Sequence, residues 1–475
     1  MLNFEKLNNK LMTNNLFGNF QHHTKTQWKE QVIKDLKGKD SNEILLWRID
    51  ENMTIDAYYN QEDTFNVPLS LIQRTQNQRV NGSWQYRESI KFTNERDCNS
   101  LIINDLLSGA NSFSIDFSGM YEWKVEVKEL LRNIKLSDTP FFFKVENNCL
   151  GLVNALQPIA PYQWKGGINY DGLALWMRKG IWDEKYWSDL GVILRKVQNH
   201  PQFKTVIINS HHFHNSGANV GQELAYTLAS AIETIDRLSQ QDFTVPEIIQ
   251  KMEFSISVGT TYFVEIAKIR ALKFLWQKIL TEGYGIKESE VPPVSVHCET
   301  SSFYSATTTP HTNMLRATTE AMSAIIGGCD AITINAFDEN FRESNEFSQR
   351  IARNISIILK EESYFDKVID PSAGSYFIEN LTLKITQETL QLLQEVENQG
   401  GIMKAFKNNY IQKEIKRNFE EKENDLISGK TTMVGVNKFR YDEMPFAAIQ
   451  TLENDVIPQD FELLIDRRVA HRFEV

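Results

Sequence analysis

The residues best suited to chemistry are the histidines of His211-His212-Phe213-His214, which follow directly on the apolar run Thr205 to Asn209. Imidazoles two apart on an extended segment face the same way, so this word could contribute to a metal site. No nearby carboxylate or fourth ligand accompanies it, and ordinary loop histidines are the preferred reading. A hydrolytic alternative pairs His212 with a carboxylate such as Asp171 or Glu299, but neither a serine elbow nor a metal motif supports it. Cys98, Cys149, Cys298 and Cys329 stand apart, which suits buried free thiols in a reducing compartment and argues against a structural zinc.

Chemistry at the end of an apolar run needs a scaffold, and the pattern around these residues supplies one. Strands are expected at Ser112 to Phe117, Phe141 to Val145, Lys165 to Asn169, Thr205 to Asn209, Phe254 to Val258, Val294 to His297, Ala331 to Asn335 and Val368 to Asp370. Helical periodicity separates most of them, notably at Leu224 to Leu238, Tyr262 to Ile279 and Thr312 to Ile326. Met314, Ala317, Ala321 and Ile325 share a face that stops at Gly327-Gly328, a pair suited to a left-handed helix end. The next helix is expected to bury Phe347, Ile351, Ile355, Ile358 and Leu359. Between Asn147 and Trp164, Pro158 and Pro161 predict a shortened crossover. Eight alternations of strand and helix predict a closed (β/α)8 barrel, and barrels of this kind hold their active sites at the carboxyl ends of the strands. That is where the histidines fall.

Flanking segments complete the organisation. Thr24 to Lys37 reads as an amphipathic helix with Trp28, Val32 and Leu36 on one face, followed by a hairpin around Asp50-Glu51-Asn52. After Asn380 the pattern is helical and charged, over Leu381 to Glu397 and Ile402 to Lys430, and Met433 to Phe439 is expected as a short strand. The division expected is an arm over 1–82, a barrel over 83–380 and a helical segment over 381–475. The balance of 51 basic and 62 acidic residues gives a net charge of −11, with no basic helix face interleaved with aromatics, so nucleic acid is not an expected partner. Met1 to Phe20 lacks the apolar core of a signal peptide, and no run approaches the ~20 apolar residues of a membrane span. A cytoplasmic protein is expected.

Several words in the chain resemble the acyl-CoA-binding barrel of the adenosylcobalamin-dependent methylmalonyl-CoA mutase family. They are Asn335-Ala336-Phe337-Asp338-Glu339, Phe347-Ser348-Gln349-Arg350-Ile351-Ala352-Arg353-Asn354 and Ile369-Asp370-Pro371-Ser372-Ala373-Gly374-Ser375-Tyr376. The segment Ile208 to Ala218 is similar to the family's Tyr-His pair facing the thioester; His212 falls on the His, and His211 replaces the Tyr. Trp84-Gln85-Tyr86-Arg87-Glu88-Ser89 is similar to a word ending in a Tyr that wedges against substrate and cobalamin, and here Ser89 stands in its place. Gly166-Gly167-Ile168-Asn169-Tyr170-Asp171 resembles a strand end followed by the Arg that grips the substrate's carboxylate. Lys179, with Arg178 beside it, occupies that position, a point charge in place of a planar fork. His297-Cys298-Glu299-Thr300-Ser301 matches a word in which Glu299 replaces Gln; His297, Glu299 and Asn335 are the corresponding relic positions for cofactor contacts.

Catalytic chains of that family carry a cobalamin-binding domain whose Asp-x-His-x-x-G motif supplies the lower cobalt ligand, and no Asp-x-His occurs in these 475 residues. The resemblance therefore implies no cobalamin-binding domain and a small, non-catalytic chain paired with a large catalytic mutase chain. The amino-terminal arm would wrap that partner, and adenosylcobalamin would sit on it. The alternative implied is a catalytic acyl-CoA mutase barrel served by a separate cobalamin-binding chain, which should have kept the Tyr at Ser89. Finally, Ser112, Ser114 and Asp116, Ser255 and Ser257, and Ser295 and His297 alternate with apolar neighbours. The apolar set must face the helices, which turns the hydroxyls to the barrel axis. A narrow vestige of an acyl-CoA channel is one expectation; plugging by Phe141, Phe143 or loop side chains is the other.

Overall fold

The computed structural model describes residues 21, 23–37, 39, 44–50, 53–79, 81–120, 123–342, 345–441 and 459–474. The expectations for Met1 to Phe20, for Glu51 and Asn52 of the hairpin turn, and for the part of the tail before residue 459 lie outside these residues. Two compact units divide at 67/68.

In the first unit, Lys25–Asp35 is helical because Thr24 caps it reciprocally with Gln27. Trp28 stacks on Tyr58 at 4.9 Å, and Lys25 pairs with Asp56 at 3.4 Å and with Asp63. Trp47–Arg48 and Thr54–Ile55 form the expected antiparallel pair.

The second unit is built on eight parallel strands: β1 Gln85–Lys91, β2 Ser112–Asp116, β3 Phe141–Lys144, β4 Gly166–Asn169, β5 Phe203–Lys204 continuing as Val206–Asn209, β6 Met252–Val258, β7 Val296–Thr300 and β8 Ala331–Thr333. The first half of β5 pairs with β4 and the second half with β6, while β8 pairs with β1 through Ala331↔Gln85 and Ile332↔Tyr86, so the sheet closes. The helices that matter to the site are α1 Val220–Ser239, α2 Tyr262–Lys278, α3 Thr312–Gly327, α4 Glu346–Glu361, α5 Tyr376–Asn398 and α6 Tyr410–Ile427. This is an α/β (β/α)8 barrel.

Its closing strand is not the one expected. Val368 to Asp370 lies outside the sheet: Asp370 pairs with the buried Arg270, and Pro371 has no backbone N–H to give a ladder. The missing eighth strand is Gln85–Lys91. Two other expectations are corrected in the same way. Cys149–Ile159 is a helix that tolerates Pro158 in its last turn, and Met433 to Phe439 forms a single bridge, Val434↔Lys438, in place of a strand. The face of α4 is rotated, leaving Phe347 50% and Ile358 44% exposed, because Arg353 turns inward to Glu88 at 2.8 Å and Asp105 at 2.5 Å. The left-handed stop of α3 is at Gly328, with φ 95°.

Strand alternation sorts the side chains as expected. Phe113, Phe141 and Phe143 are fully buried and stack at 5.2 and 6.2 Å on the helix side, so neither Phe141 nor Phe143 enters the barrel. α2 is buried on nearly every face, including Lys268, Arg270 and Lys273. Each of these cations meets an acceptor: Glu223 at 3.0 Å, Glu379 at 2.9 Å and the Gly328 carbonyl at 2.6 Å respectively. The residues 459–474 return over the carboxyl face of the barrel, where Leu464 N donates to Met177 O at 2.8 Å and Arg467 N to Asn215 O at 2.7 Å.

Candidate functional site

A cavity of about 420 Å³ opens at the carboxyl ends of the strands. Ser89, Lys179, His211, His212, His297, Glu299 and Asn335 all border it, so the barrel gathers into one place residues spread over some 250 positions of sequence. The positions come from strand ends and the turns after them: Ser89 from β1, His297 and Glu299 from β7, Asn335 just past β8, and the histidine pair from the turn after β5.

That turn is not extended. His211–Ser216 is a short helix, so residues two apart diverge, and His212 and His214 serve different surroundings. His214 turns to a buried network in which its Nδ1 lies 3.1 Å from Glu223 and its Nε2 2.7 Å from Ser301. Glu223 also accepts from Ser210 at 2.6 Å. Burial favours the neutral form of its carboxyl, but the ammonium of Lys268 outweighs that and holds it well below the usual range. Among the described residues no cluster of His, Cys, Asp or Glu is arranged to hold a metal.

His211 belongs to a hydrogen-bonded chain across the inner wall. Thr333 Oγ1 donates to the Arg87 carbonyl at 2.9 Å, an oxygen that can only accept, and burial lowers the pKa of both His297 and His211, so with the two rings neutral every later bond has a fixed direction. His297 Nε2 must donate to Thr333 (2.9 Å), Ser255 to His297 Nδ1 (2.8 Å), His211 Nε2 to Ser255 (2.8 Å) and Ser257 to His211 Nδ1 (2.8 Å). The two neutral imidazoles are therefore Nε2–H tautomers with no nitrogen to spare. Burial lowers the pKa of each, that of His297 strongly.

His212 is the opposite case. Its ring is 3% exposed, borders the cavity and packs on Phe213 at 3.9 Å, yet neither nitrogen has a hydrogen-bond partner. Burial, reinforced by Arg178, keeps it neutral.

The cations around the cavity are already matched. Lys179 reaches Glu146 at 2.6 Å, Lys144 reaches Asp116 at 2.8 Å, and Arg178 reaches Asp466 at 2.6 Å. Asp171 caps the helix Gly172–Lys179 and fixes the end of β5, accepting from Ala174 N at 3.0 Å and Asn209 Nδ2 at 2.9 Å. Below the cavity, the guanidinium of Arg87 forks onto Glu253 at 2.9 and 3.1 Å and lies 3.3 Å over the Phe142 ring. Arg87 and Phe142 also border a second cavity, of about 510 Å³, at the amino ends of the strands. The three side chains form a waist that fills the axis between the two.

The waist and the internal carboxylates Glu146 and Asp466 were missed in the sequence, whereas Asp116 stands at the cavity as its strand alternation implies. Arg87 and Glu253 could have been found, since each precedes an inward Ser by two residues on its strand, and such a charge requires a partner across the barrel. Nothing local identifies Asp466, which folding brings to Arg178 from 288 residues away.

Comparison with known proteins gives a consistent picture. Residues 125–466 match the family model for methylmalonyl-CoA mutase. The methylmalonyl-CoA mutase small subunit of Porphyromonas gingivalis is 30% identical over 445 residues, covering 89% of this chain and 71% of that protein. Methylmalonyl-CoA mutase of Cereibacter sphaeroides is 36% identical over 240 residues (50% and 34% covered), and the mitochondrial enzyme of Homo sapiens is 27% identical over 467 (90% and 62%). The chain thus spans less than two thirds of the length of these last two relatives. Among solved structures, dihydropteroate synthase from Stenotrophomonas maltophilia aligns with a TM-score of 0.34 at 10% identity over 59% of this chain and 93% of that one, too loose a likeness to carry an argument.

Proposed function

The chain belongs to the methylmalonyl-CoA mutase family, and from that membership we propose that it is a small, non-catalytic subunit that holds a large catalytic mutase chain in a stable heterodimer. The enzyme so formed would interconvert methylmalonyl-CoA and succinyl-CoA with adenosylcobalamin in the cytoplasm.

The observation that carries this reading is the contact between Lys179 and Glu146 at 2.6 Å. A cation at the carboxylate-gripping position is useful to an acyl substrate only if it is free, and here an internal carboxylate already neutralises it. The other substitutions agree. Ser89 offers a hydroxymethyl where a phenol ring would be needed, and Glu299 adds negative charge to the rim of the same cavity.

The residues present do not fit the cobalt-ligating role. The sequence has no Asp-x-His, His211 and His297 have both nitrogens engaged within the wall, and the nitrogens of His212, though without hydrogen-bond partners, are sealed from the cavity. Adenosylcobalamin is accordingly assigned to the partner chain. A vestigial acyl-CoA channel would have to pass the Arg87–Glu253 waist, so the expectation is one thioester site per heterodimer, on the large chain. The alternative of a catalytic barrel with a separate cobalamin chain lacks support at Ser89.

Co-expression with a large mutase chain tests the proposal. A 1:1 complex with turnover, and no turnover by this chain given cofactor alone, is the expected result. Cofactor-dependent isomerisation by the single chain, or a chain whose mass and stability ignore the partner, would overturn it.

A further inference from the structure

We propose that the outward faces of α3 and α4 are the surface on which the large mutase chain docks, through an apolar, uncharged helical face of its own. The inference rests on the subunit assignment and goes beyond it, since family membership does not say where the two chains meet.

α3 is apolar all round. Its inner face buries Ala317, Ala321, Ala324 and Ile325. On the opposite face, at helical spacing, stand Leu315, Thr319, Met322 and Ile326. Leu315 is 69% exposed, Thr319 is exposed, and Met322 and Ile326 are half-buried. The 16 residues include two charged ones, and neither lies on this stripe. Glu320 is buried on the inside, and Arg316 turns aside to donate to Val434 O at 2.6 Å and Asn313 Oδ1 at 2.7 Å. A helix facing water carries its polar residues on the outer side, and one without such a face is ordinarily buried. The same barrel offers a comparison. α2 is also without a solvated face, and it lies beneath α5 and the helix Leu69–Gln76.

α4 continues the surface. Phe347 and Ile358 lie about three turns apart on one face, both exposed. The ring of Phe337 joins that face to α3, standing 6.4 Å from Phe347 and 5.5 Å from His311, the residue before α3. Exposed charge stands beside the stripe at Glu346, Arg350 and Glu361. An uncharged centre with a charged rim is the composition of a protein–protein contact. Two helices of this length present about 24 by 20 Å, of the order of 500 Å², which is the dry centre of an interface that needs roughly 800 Å² from each partner.

Charge selects the occupant. A partner that pressed exposed Lys, Asp or Glu onto this stripe would strip them of water without an ion pair in return, so the matching face is itself uncharged. A second copy would bring the same net charge of −11 to the rim and be repelled at range. A different chain is under no such constraint, and the subunit assignment supplies one.

Sedimentation of the full-length chain with the large mutase chain tests the surface. Leu315→Glu should weaken the 1:1 complex by at least about tenfold, roughly 1.4 kcal/mol, and the backbone amides of α3 should exchange more slowly in the wild-type complex. Because Leu315 is exposed and near the start of α3, where a carboxylate suits the helix dipole, the variant should fold with unchanged thermal unfolding. Val192→Glu puts the same charge on the helix Tyr186–Lys196, at a position 38% exposed, and should leave the affinity unchanged. No complex with the wild type would overturn the subunit assignment and this inference together. A complex as tight with Leu315→Glu, one weakened equally by Val192→Glu, or slowed exchange confined to residues before Pro68 would overturn the docking surface and leave the assignment standing. Self-association of the chain alone that Leu315→Glu abolishes would give the face to a second copy and overturn it as well.

Discussion

Glu320, on α3, shows how strongly burial can dictate the behaviour of one residue. It is 2% exposed, accepts from Ser301 N at 3.1 Å, and leaves its Oε1 without a partner. Burial pushes its pKa up from 4.5 to about 8. A carboxyl whose folded pKa is raised binds its proton more tightly folded than unfolded, so its contribution is complete below pH 4.5 and is lost as pH rises through 8. The expected result is that Glu320→Gln flattens this part of the stability profile, by up to roughly 1.4 kcal/mol per pH unit in the window, and is more stable than wild type at pH 9. Denaturant unfolding at a series of pH values measures it; parallel profiles would show that Glu320 is not protonated in the fold. Arg270 is the complementary case, fully buried between Asp370 and Glu379, and Arg270→Met should cost about 3–5 kcal/mol by leaving two carboxylates unpaired. That the candidate residues would gather at one end of the barrel was legible because most sit in words at strand ends, with Lys179 at the end of the helix that follows one. Their partners were not. Glu146 and Asp466 are ordinary acidic residues whose meaning comes from Lys179 and Arg178, and nothing local in the sequence states such a pairing.

Among the strands, the two errors share a cause. Gln85–Lys91 carries Arg87, Glu88 and Lys91 and so lacks apolar alternation, yet it is buried on both faces by ion pairs, Arg87 to Glu253 inside and Glu88 to Arg353 outside. Val368 to Asp370 looked like a strand because it is apolar, and lies outside a barrel already closed without it. Hydrophobic alternation reads burial against apolar neighbours and is blind to burial against charge. Tight packing between strands is a feature that the sequence does mark, through Gly166-Gly167. Gly166 has φ +110°, and a Cβ there would lie 2.0 Å from the Phe141 carbonyl oxygen of the adjoining strand. Gly166→Ala should therefore destabilise the barrel by well over the ~1–2 kcal/mol that a left-handed backbone alone costs a side chain. Gly374→Ala, at φ +80° with open space around it, is the control and should cost no more than that. Equal midpoints for the two in urea unfolding would mean that β3 and β4 can separate without penalty.

At the scale of the whole barrel, the polar inner wall was legible from the Ser and His alternation, and the manner of filling it was not. Small hydroxyls leave an axis that aliphatic barrels fill with branched side chains, and here one ion pair and one ring fill it: Arg87, Glu253 and Phe142. Both charges are 4% exposed, Ser295 donates to Glu253 at 3.2 Å, and the cavities on either side share Arg87 and Phe142 as a wall. Taking two ions from water is costly, and the attraction between them at this depth offsets that cost only while both are present. The expectation for a double-mutant cycle follows. Arg87→Met and Glu253→Leu should each cost about 3–5 kcal/mol, since either leaves a buried charge with no partner. The double variant should cost clearly less than the sum, because it removes both charges and replaces them with side chains able to pack. Chemical denaturation of the four proteins gives the coupling energy. A pair that merely decorates a flooded channel would be screened by water, and its coupling would then fall to the ~0.2–1 kcal/mol typical of exposed pairs. A coupling of 2 kcal/mol or more would mean that the waist is dry and structural, and that the two ends of this barrel are separate compartments.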